Sequence, residues 1–195
     1  MSDRWVVVGL GNPEDEYGGT RHNIGADVVR HLAAQHHVSF SINKRIRCEE
    51  AQVRLGDQRL LLVVPMSYMN KSGGPVQAAA AWIDAPPEQV IVVHDDLDLD
   101  LGQLRCKFGG GSSHNGVKDV VRSMGTRDVL RVRIGIGQPP GRMPGKDYVL
   151  RRFTTAERAE ADLVVVDAAD AIELFVEQGL EPVQNRYHGR TKATS

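Results

Sequence analysis

A histidine and an aspartate each follow an apolar run that is typical of a buried strand. Residues 6–8 lead through a glycine-bearing turn to His22, and residues 90–93 lead directly to His94-Asp95. If the two strands are parallel, both side chains emerge at the carboxyl edge of the sheet, where α/β proteins place their binding crevices. A carboxylate bonded to one imidazole nitrogen fixes the tautomer and raises the basicity of the other nitrogen. The pair is therefore predicted to activate water as a general base, with no serine or cysteine nucleophile.

Four asparagines offer uncharged amide groups to the same crevice: Asn12, Asn23, Asn70 and Asn115. Three of them lie in glycine-bearing loops next to predicted element ends. An asparagine side chain provides donors and an acceptor without charge, so it can hold a peptide amide, position a water molecule or stabilise an oxyanion. A single asparagine of this kind is more often a turn or cap residue. Several that face one crevice would indicate a site for a neutral, amide-bearing substrate.

Two other kinds of site compete for these residues. The turn after residues 6–8 carries the first two glycines of a GxGxxG dinucleotide motif, but Glu14 stands where the third glycine is needed and Pro13 removes an amide donor. A metal site could instead be assembled from three histidines and nearby acidic residues: His22, His94, His114, Asp95, Asp96 and Asp98. No HxH, HExxH or comparable ligand spacing occurs, so we expect neither a cofactor nor a metal.

Charge is distributed unevenly along a chain whose net charge is only −1. Every charged residue in 83–104 is acidic, whereas 105–152 holds eleven Lys and Arg against three Asp. A local basic excess of this size suits a phosphate-binding surface, although scattered solvated side chains would give the same count. The sequence therefore leaves RNA binding open rather than excluding it.

Length and composition are those of a soluble globular protein with one core. The chain has 195 residues, of which 41% are hydrophobic and 25% charged. Cys48 and Cys106 have no CxxC spacing, so neither a disulfide scaffold nor a zinc site is expected. We find no signal-peptide pattern and no apolar run of about 20 residues that could span a membrane. We therefore expect a cytoplasmic protein.

The predicted elements place the candidate residues at one edge of a sheet. Strands are predicted at 4–10, 46–55, 59–64, 90–93, 104–108 and 129–136, and helices at 21–35, 74–83, 114–124 and 155–178. Thr20 is expected to cap the first helix, and Thr154 or Thr155 the last. Residues 12–19 and 138–146 are predicted to be loops, and Gly56-Asp57 a hairpin turn. This alternation predicts an α/β fold with a mixed sheet, one domain at 1–188 and a flexible polar tail at 189–195.

Three segments together resemble the bacterial-type peptidyl-tRNA hydrolase family. They are residues 6–13 with 20–25 (VVVGLGNP and TRHNIG), 65–73 (PMSYMNKSG) and 93–99 (VHDDLDL). Further matches follow in order: GGG at 109–111 with HNG at 114–116, RVRIGIG at 131–137, and YVL at 148–150 with FT at 153–154. The resemblance runs from about residue 5 to residue 188. It implies a single α/β domain with a twisted mixed sheet between helices. It also implies metal-free hydrolysis of the ester that joins a peptide to the 3′-terminal ribose of tRNA, which recycles the tRNA.

The resemblance implies roles for the catalytic and amide residues. His22 corresponds to the family's catalytic base and Asp95 to the acid that orients it. Asn12 and Asn70 correspond to residues that hold the peptide and the tRNA 3′ end around the ester. Asn115 corresponds to the asparagine that helps to place the attacking water or the substrate.

The resemblance also implies how the rest of the substrate is held. Tyr17 and Met69 correspond to residues that line the crevice. Lys107 and Arg133 match positions that clamp a tRNA phosphate, which agrees with the basic segment noted above. The implied partner is peptidyl-tRNA, contacted at its 3′ end and along the acceptor and T arms, and the implied state is a cytoplasmic monomer.

One departure from the family pattern concerns the loop before Asn115. Family members commonly have one more residue between the GGG run and the HNG motif, where only Ser112-Ser113 intervene here. The shorter loop is predicted to stiffen the cover of the crevice or to shift Asn115.

Two alternative functions stay open. One is a non-catalytic RNA-binding protein on the same fold, such as the family's splicing-factor relatives, which an exposed apolar patch would favour. The other is a metal-dependent esterase, which a chelator would reveal.

Overall fold

The amino-terminal apolar run forms the central strand of a mixed sheet in the computed structural model, which describes residues 3–189. The strands are β1 (Arg4–Gly9), β2 (Ser41–Asn43), β3 (Cys48–Leu55), β4 (Gln58–Pro65), β5 (Val90–Asp96), β6 (Leu104–Phe108) and β7 (Leu130–Gly135). Their order across the sheet is β2-β3-β4-β1-β5-β7-β6. β4, β1, β5 and β7 are parallel, whereas β3 and β6 run antiparallel to their neighbours. The predicted α/β fold with a mixed sheet is confirmed.

Helices cover both faces of this sheet. They are α1 (Glu14–Tyr17), α2 (Ile24–Gln35), α3 (Gly73–Trp82), α4 (Asn115–Met124), α5 (Gly145–Tyr148), α6 (Thr155–Gln178) and α7 (Leu180–Tyr187). One face packs on α2 and α6, and the other on α3 and α4. Because β1 and β5 lie between the two helical layers, residues 6–8 and 90–93 are completely buried. Burial on both faces explains why these strands are continuous apolar runs rather than alternating ones.

Two glycines allow α2 to approach the sheet closely. Gly25 lies against the carbonyl of Val93, and Gly9 lies against Gly25, so a Cβ at either glycine would overlap backbone atoms. The Leu10 N–H donates to the Val93 carbonyl at 3.1 Å at the same place. These contacts bring the start of α2, which is preceded by His22, next to the end of β5.

The predicted helix at 21–35 begins differently from the expectation. Residues Arg21–Asn23 form a 3₁₀ turn before α2, and the Thr20 hydroxyl makes no capping bond, so that predicted cap was wrong. The reason is that the first N–H groups already have backbone acceptors: the N–H of Arg21 donates to Arg151 and that of His22 to Val149. Thr154 does cap α6, in a capping box with Glu157.

Some short elements were not predicted. α1 lies in the supposed loop 12–19, α5 overlaps the supposed loop 138–146, and β2 and α7 had no predicted counterpart. α7 starts after Gly179, whose φ of 85° ends α6. Tertiary hydrogen bonds to Cys106 hold α7: Gln184 Nε2 donates to its carbonyl (3.2 Å), and His188 Nε2 accepts from its N–H (2.8 Å).

Of the predicted tail at 189–195, residues 190–195 lie outside the described residues. Within residues 3–189, no helix has both the length and the apolar character that crossing a membrane requires.

Candidate active site

A pocket of about 960 Å³ opens at the carboxyl edge of the parallel strands. The ends of β1, β5 and β7 border it, together with the segment between β4 and α3 and the loop between β6 and α4. Every site residue implied by the family resemblance lines it: Asn12, Tyr17, His22, Met69, Asn70, Asp95, Lys107, Asn115 and Arg133. The sheet topology thus brings residues that are far apart in sequence into one crevice.

Asp95 is the buried acid of this pocket, with 2% of its surface exposed. Its carboxylate contacts two imidazoles, those of His22 and His114. Burial by itself raises the pKa of the Asp95 carboxyl, but the charges and hydrogen bonds of the two histidines outweigh burial and hold the pKa well below its usual range. An ionised carboxylate can only accept hydrogen bonds, so the ring nitrogens that face it are donors.

His22 is held by both its backbone and its ring. Its N–H donates to the carbonyl of Val149 at 2.8 Å. Its ring Nδ1 lies 2.9 Å from each carboxylate oxygen of Asp95, and 13% of the side chain is exposed. Because Nδ1 donates to Asp95, the neutral ring has its unprotonated nitrogen at Nε2, which Asp95 does not engage. This geometry prepares Nε2 to accept a proton.

His114 is fixed in one tautomer by the start of α4. Its Nδ1 accepts from the N–H groups of Gly116 (3.1 Å) and Val117 (3.3 Å), so it caps the helix and carries no hydrogen. A neutral ring then keeps its hydrogen on Nε2, which lies 2.8 Å from Asp95 Oδ1. The sequence had suggested His114 only as a possible metal ligand. Its position at the start of the helix predicted over 114–124 was the signal that it could act as a cap.

His94, which precedes Asp95 in the chain, is buried, with 1% of its surface exposed. Its Nδ1 donates to the backbone carbonyl of Asp95 (2.7 Å), and its Nε2 accepts from Arg131 Nε (3.2 Å). Burial is the main cause that holds the pKa of His94 well below its usual value, and the nearby charge of the Arg131 guanidinium acts in the same direction. The ring is therefore neutral, and it connects the backbone of Asp95 to Arg131.

Hydrogen bonds orient Asn12 through its backbone and through its side-chain oxygen. Its Oδ1 accepts from the N–H of Met69 at 2.7 Å. Asn23, which is fully buried and does not line the pocket, accepts from the Asn12 N–H (2.8 Å) and donates to its carbonyl (3.0 Å). Since Oδ1 is occupied, the side-chain NH₂ is the group that Asn12 presents to the pocket. Asn23 is thus a supporting residue rather than a fourth amide in the crevice.

The remaining wall combines amides with aromatic and apolar surface. Asn70 follows Met69 in a 3₁₀ turn, and Asn115 is the first residue of α4. The ring of Tyr17 meets that of Tyr68 edge-on, with centroids 6.5 Å apart. This wall can accept an apolar chain while its amides bind carbonyl or N–H groups.

Three cations from β6 and β7 line the pocket. Lys107 on β6 and Arg131 on β7 are register partners, and Arg133 lies two residues further along β7. Burial and the charges of the two arginines lower the pKa of Lys107. Arg133 Nε donates to Asp96 Oδ2 (2.8 Å), and Arg131 Nη1 donates to the Gly111 carbonyl (3.0 Å). Arg131 was not among the site residues predicted from the sequence, although its alternation with Arg133 indicates that both side chains face one side of the sheet.

Some of these residues could also ligate a metal ion. Ligand atoms of His22, Asp95 and His114 lie within 4.8 Å of one another. However, the nitrogens that face Asp95 already donate hydrogen bonds to it. A metal between them would need both nitrogens without hydrogens, and His114 would then lose the acceptor that caps α4. The hydrogen bonds account for the cluster without an ion.

A family model described as "Peptidyl-tRNA hydrolase" matches residues 6–195. The chain belongs to the peptidyl-tRNA hydrolase family. The peptidyl-tRNA hydrolase of Frankia alni is 51% identical over 185 residues, covering 94% of this chain and 93% of that protein. The peptidyl-tRNA hydrolase of Rhodococcus erythropolis is 48% identical over 188 residues, covering 96% and 99%. The resemblance noted in the sequence is therefore confirmed.

Solved peptidyl-tRNA hydrolase structures share the whole architecture. The enzyme from Acinetobacter baumannii superposes with a TM-score of 0.91 at 31% identity, covering 99% of this chain and 98% of that chain. A 5′-methylthioadenosine nucleosidase from Arabidopsis thaliana matches with a TM-score of 0.52 at 11% identity, which is a likeness of fold alone.

The loop before α4 keeps Asn115 in the pocket of this peptidyl-tRNA hydrolase family member. Ser112 Oγ accepts from the N–H of His114 at 3.1 Å, which ties the loop to the helix start. Gly109 and Gly110 have φ values of 66° and 87°, a conformation that favours glycine. Asn115 lines the pocket beside the capping histidine.

Proposed function

We propose that this pocket hydrolyses the ester between a peptide, or an N-acylated amino acid, and the 3′ ribose of tRNA. The observation that carries the proposal is the contact of His22 Nδ1 with both oxygens of Asp95, which leaves Nε2 as a base in a pocket lined by amides and cations. Membership of the peptidyl-tRNA hydrolase family supports the same substrate. The product is tRNA that can be charged again.

The proposed reaction needs only water and the pair formed by His22 and Asp95. Nε2 of His22 takes a proton from water while the oxygen attacks the ester carbonyl, forming a tetrahedral intermediate. The intermediate collapses with loss of the ribose 3′ oxygen, which takes the proton back from His22. Asp95 stabilises the imidazolium that forms between the two steps, because its own carboxyl stays ionised. General-base assistance of this kind contributes about 10²–10⁴ in rate.

The amides hold the acyl part of the substrate. Asn12 presents its NH₂, as described above, and can bind a carbonyl of the peptide or the developing oxyanion. Asn70 is proposed to hold the tRNA 3′ end, and Asn115 to place the attacking water or the substrate. Tyr17 and Met69 form the apolar part of the crevice. None of these groups is charged, so they suit an acylated nitrogen better than a free ammonium.

The cationic side of the pocket holds tRNA phosphate. Lys107 and Arg133 are proposed to clamp one phosphate group, with Arg131 behind them adding positive charge. From there the acceptor and T arms would follow the basic surface outside the pocket. We further propose that the protein works as a monomer in the cytoplasm and needs no metal.

Release of an N-acylated amino acid from tRNA in excess EDTA tests the proposal, with wild type compared with His22→Ala of verified fold. Turnover by wild type and near-abolition in the variant support a metal-free, histidine-based hydrolase. A well-folded wild type that binds tRNA without turnover would contradict it and favour a non-catalytic RNA-binding role.

A metal-dependent esterase is the second candidate, because His22, Asp95 and His114 bring three ligand atoms together. The same assay separates the two. Loss of turnover in EDTA, with recovery on adding Zn²⁺, would show that a metal-bound water, rather than water activated by His22, attacks the ester.

A further inference from the structure

Three arginines stand side by side on neighbouring strands, at the edge of the sheet opposite the catalytic pocket. Arg4 on β1 is the register partner of Arg59 on β4, and Arg59 is in turn the partner of Arg54 on β3. Neighbouring strands are about 4.8 Å apart, and register partners share a face. Like charges placed directly opposite each other destabilise a sheet. Among residues 3–189, no carboxylate forms an ion pair with any of the three.

These arginines, called the arginine row below, line a second pocket of about 460 Å³. Apolar side chains of β3 and β4 form part of it, and the end of α3 forms one wall. Arg4 Nη1 donates to the carbonyl of Ile83 at 3.2 Å, which ties the row to that wall. Trp82, in the same wall, is 47% exposed, and the Arg45 guanidinium lies 5.9 Å from its ring centroid. An exposed indole ring and the row of arginines therefore share one concave surface.

We propose that the second pocket binds a nucleoside polyphosphate, with its phosphates on the arginine row and its base against Trp82. Guanidinium groups bind phosphate oxygens through paired hydrogen bonds, and an aromatic ring provides a stacking face for a base. The bound anion also removes the repulsion within the row. The volume lies within the range of about 300–1,000 Å³ that is typical of small-molecule sites.

The shape of the site favours a free nucleotide over an RNA strand. The row spans only two strand spacings, about 10 Å, so its three charges converge on adjacent phosphates of one molecule. Binding of single-stranded RNA generally uses a longer basic groove with several stacking residues. The arginine row lies at the amino edge of β1 and β4, while catalysis is assigned to the carboxyl edge. The proposal therefore stands independently of the proposed hydrolase activity.

Trp82 fluorescence provides a direct test. The chain has two tryptophans, so a Trp5→Phe variant leaves Trp82 as the reporter. Adenosine 5′-triphosphate in EDTA is expected to quench this fluorescence saturably, and inorganic tripolyphosphate to compete with it. Adding Arg54→Ala and Arg59→Ala to this variant should raise the Kd by at least about tenfold, because the charge-assisted hydrogen bonds to the phosphates are lost. Arg127→Ala, which removes an exposed arginine elsewhere on the chain, should change Kd by less than about twofold.

Three results would overturn the proposal. The first is no saturable quenching by the triphosphate. The second is equal affinity in the Arg54→Ala, Arg59→Ala variant, whose fold is checked by its melting temperature. The third is tighter quenching by a single-stranded oligoribonucleotide with hydroxyl ends, which would assign the pocket to RNA instead. Because the two arginines repel each other in the free protein, the variant is expected to melt no lower than its parent.

Discussion

Nε2 of His114 lies 2.8 Å from Oδ1 of Asp95, so one buried carboxylate holds two imidazoles at once. The ring centroids of His22 and His114 are 4.8 Å apart. The first ring belongs to the turn before α2 and the second caps α4. Asp95 is therefore oriented from both sides. The orientation of its carboxylate toward His22 depends on His114 and α4, which follow Asp95 in sequence. His114 is a positioning residue in this arrangement.

Replacement of His114 by Asn should separate its two tasks. Asparagine is a good N-cap, so α4 should keep its cap, but its shorter side chain cannot reach Asp95 as the imidazole does. We expect kcat to fall about 10–100-fold, a loss typical of removing a residue that orients a neighbouring functional group, here the Asp95 carboxylate. KM should change much less. Steady-state kinetics with N-acyl-aminoacyl-tRNA measure both parameters. A folded variant with unchanged kcat would show that His114 acts only as a helix cap.

The uncharged amides of the crevice predict selectivity for acylated substrates. Asn12 presents an NH₂ group, and the buried carboxylate of Asp95 beside His22 is already engaged by two imidazoles. Burial of an unpaired ammonium costs several kcal/mol, so free-amino aminoacyl-tRNA should be cleaved at least about 100-fold less efficiently than its N-acetyl form. The ratio of kcat/KM for the two forms of one tRNA gives the answer. Equal cleavage of the two forms would show that the amides do not select for an acylated nitrogen.

Neutralisation of the proposed phosphate clamp should affect tRNA substrates alone. Lys107→Gln combined with Arg133→Gln is expected to weaken tRNA binding and to reduce the slope of log K against log salt by about one for each phosphate that the protein no longer neutralises. The rate at which the variant hydrolyses a small N-acyl ester should stay within about twofold of the wild-type rate, because the clamp is proposed to bind phosphate and not the reacting ester. Arg127→Gln is the matched control for removal of an exposed charge. A uniform decrease on both substrates would indicate damage to the fold rather than to the clamp.

Asp27 on α2 predicts a pH-dependent stability that is unrelated to catalysis. Burial raises the pKa of its carboxyl to about 6, although Arg158 at 3.9 Å opposes the shift. The folded state therefore holds the proton more tightly than the unfolded state, and stability falls as pH rises from about 4 to about 6. Asp27→Asn should increase the free energy of unfolding at pH 7.5 by about 1–3 kcal/mol, with little gain at pH 4.

Urea unfolding at the two pH values measures the effect of Asp27→Asn, with Asp57→Asn in the exposed hairpin turn as the control. The same gain at both pH values would show that the amide improves packing and that ionisation of Asp27 is not the cause.

Local patterns were sufficient to predict most of the fold. The apolar runs at 6–8 and 90–93 were recognisable because strands covered on both faces must be apolar throughout. The hairpin at Gly56-Asp57 was recognisable because its turn requires residues that tolerate unusual backbone angles. α7 was not predicted, because it is held by hydrogen bonds to Cys106 on a distant strand. No local pattern encodes such contacts.

The site shows the same division. The sequence by itself determined that His22 and Asp95 follow strands and that uncharged amides occur near them, because these are properties of residue type and spacing. Only the tertiary structure decided that His114 shares Asp95, that Asn23 supports Asn12 from behind, and that Arg131 joins the cationic cluster. It also decided that Arg4, Arg59 and Arg54 form one row, since strand register is set by pairing across the sheet. Hydrogen bonds and charge contacts between distant segments exist only after the chain has folded, and they decide which side chains face each other.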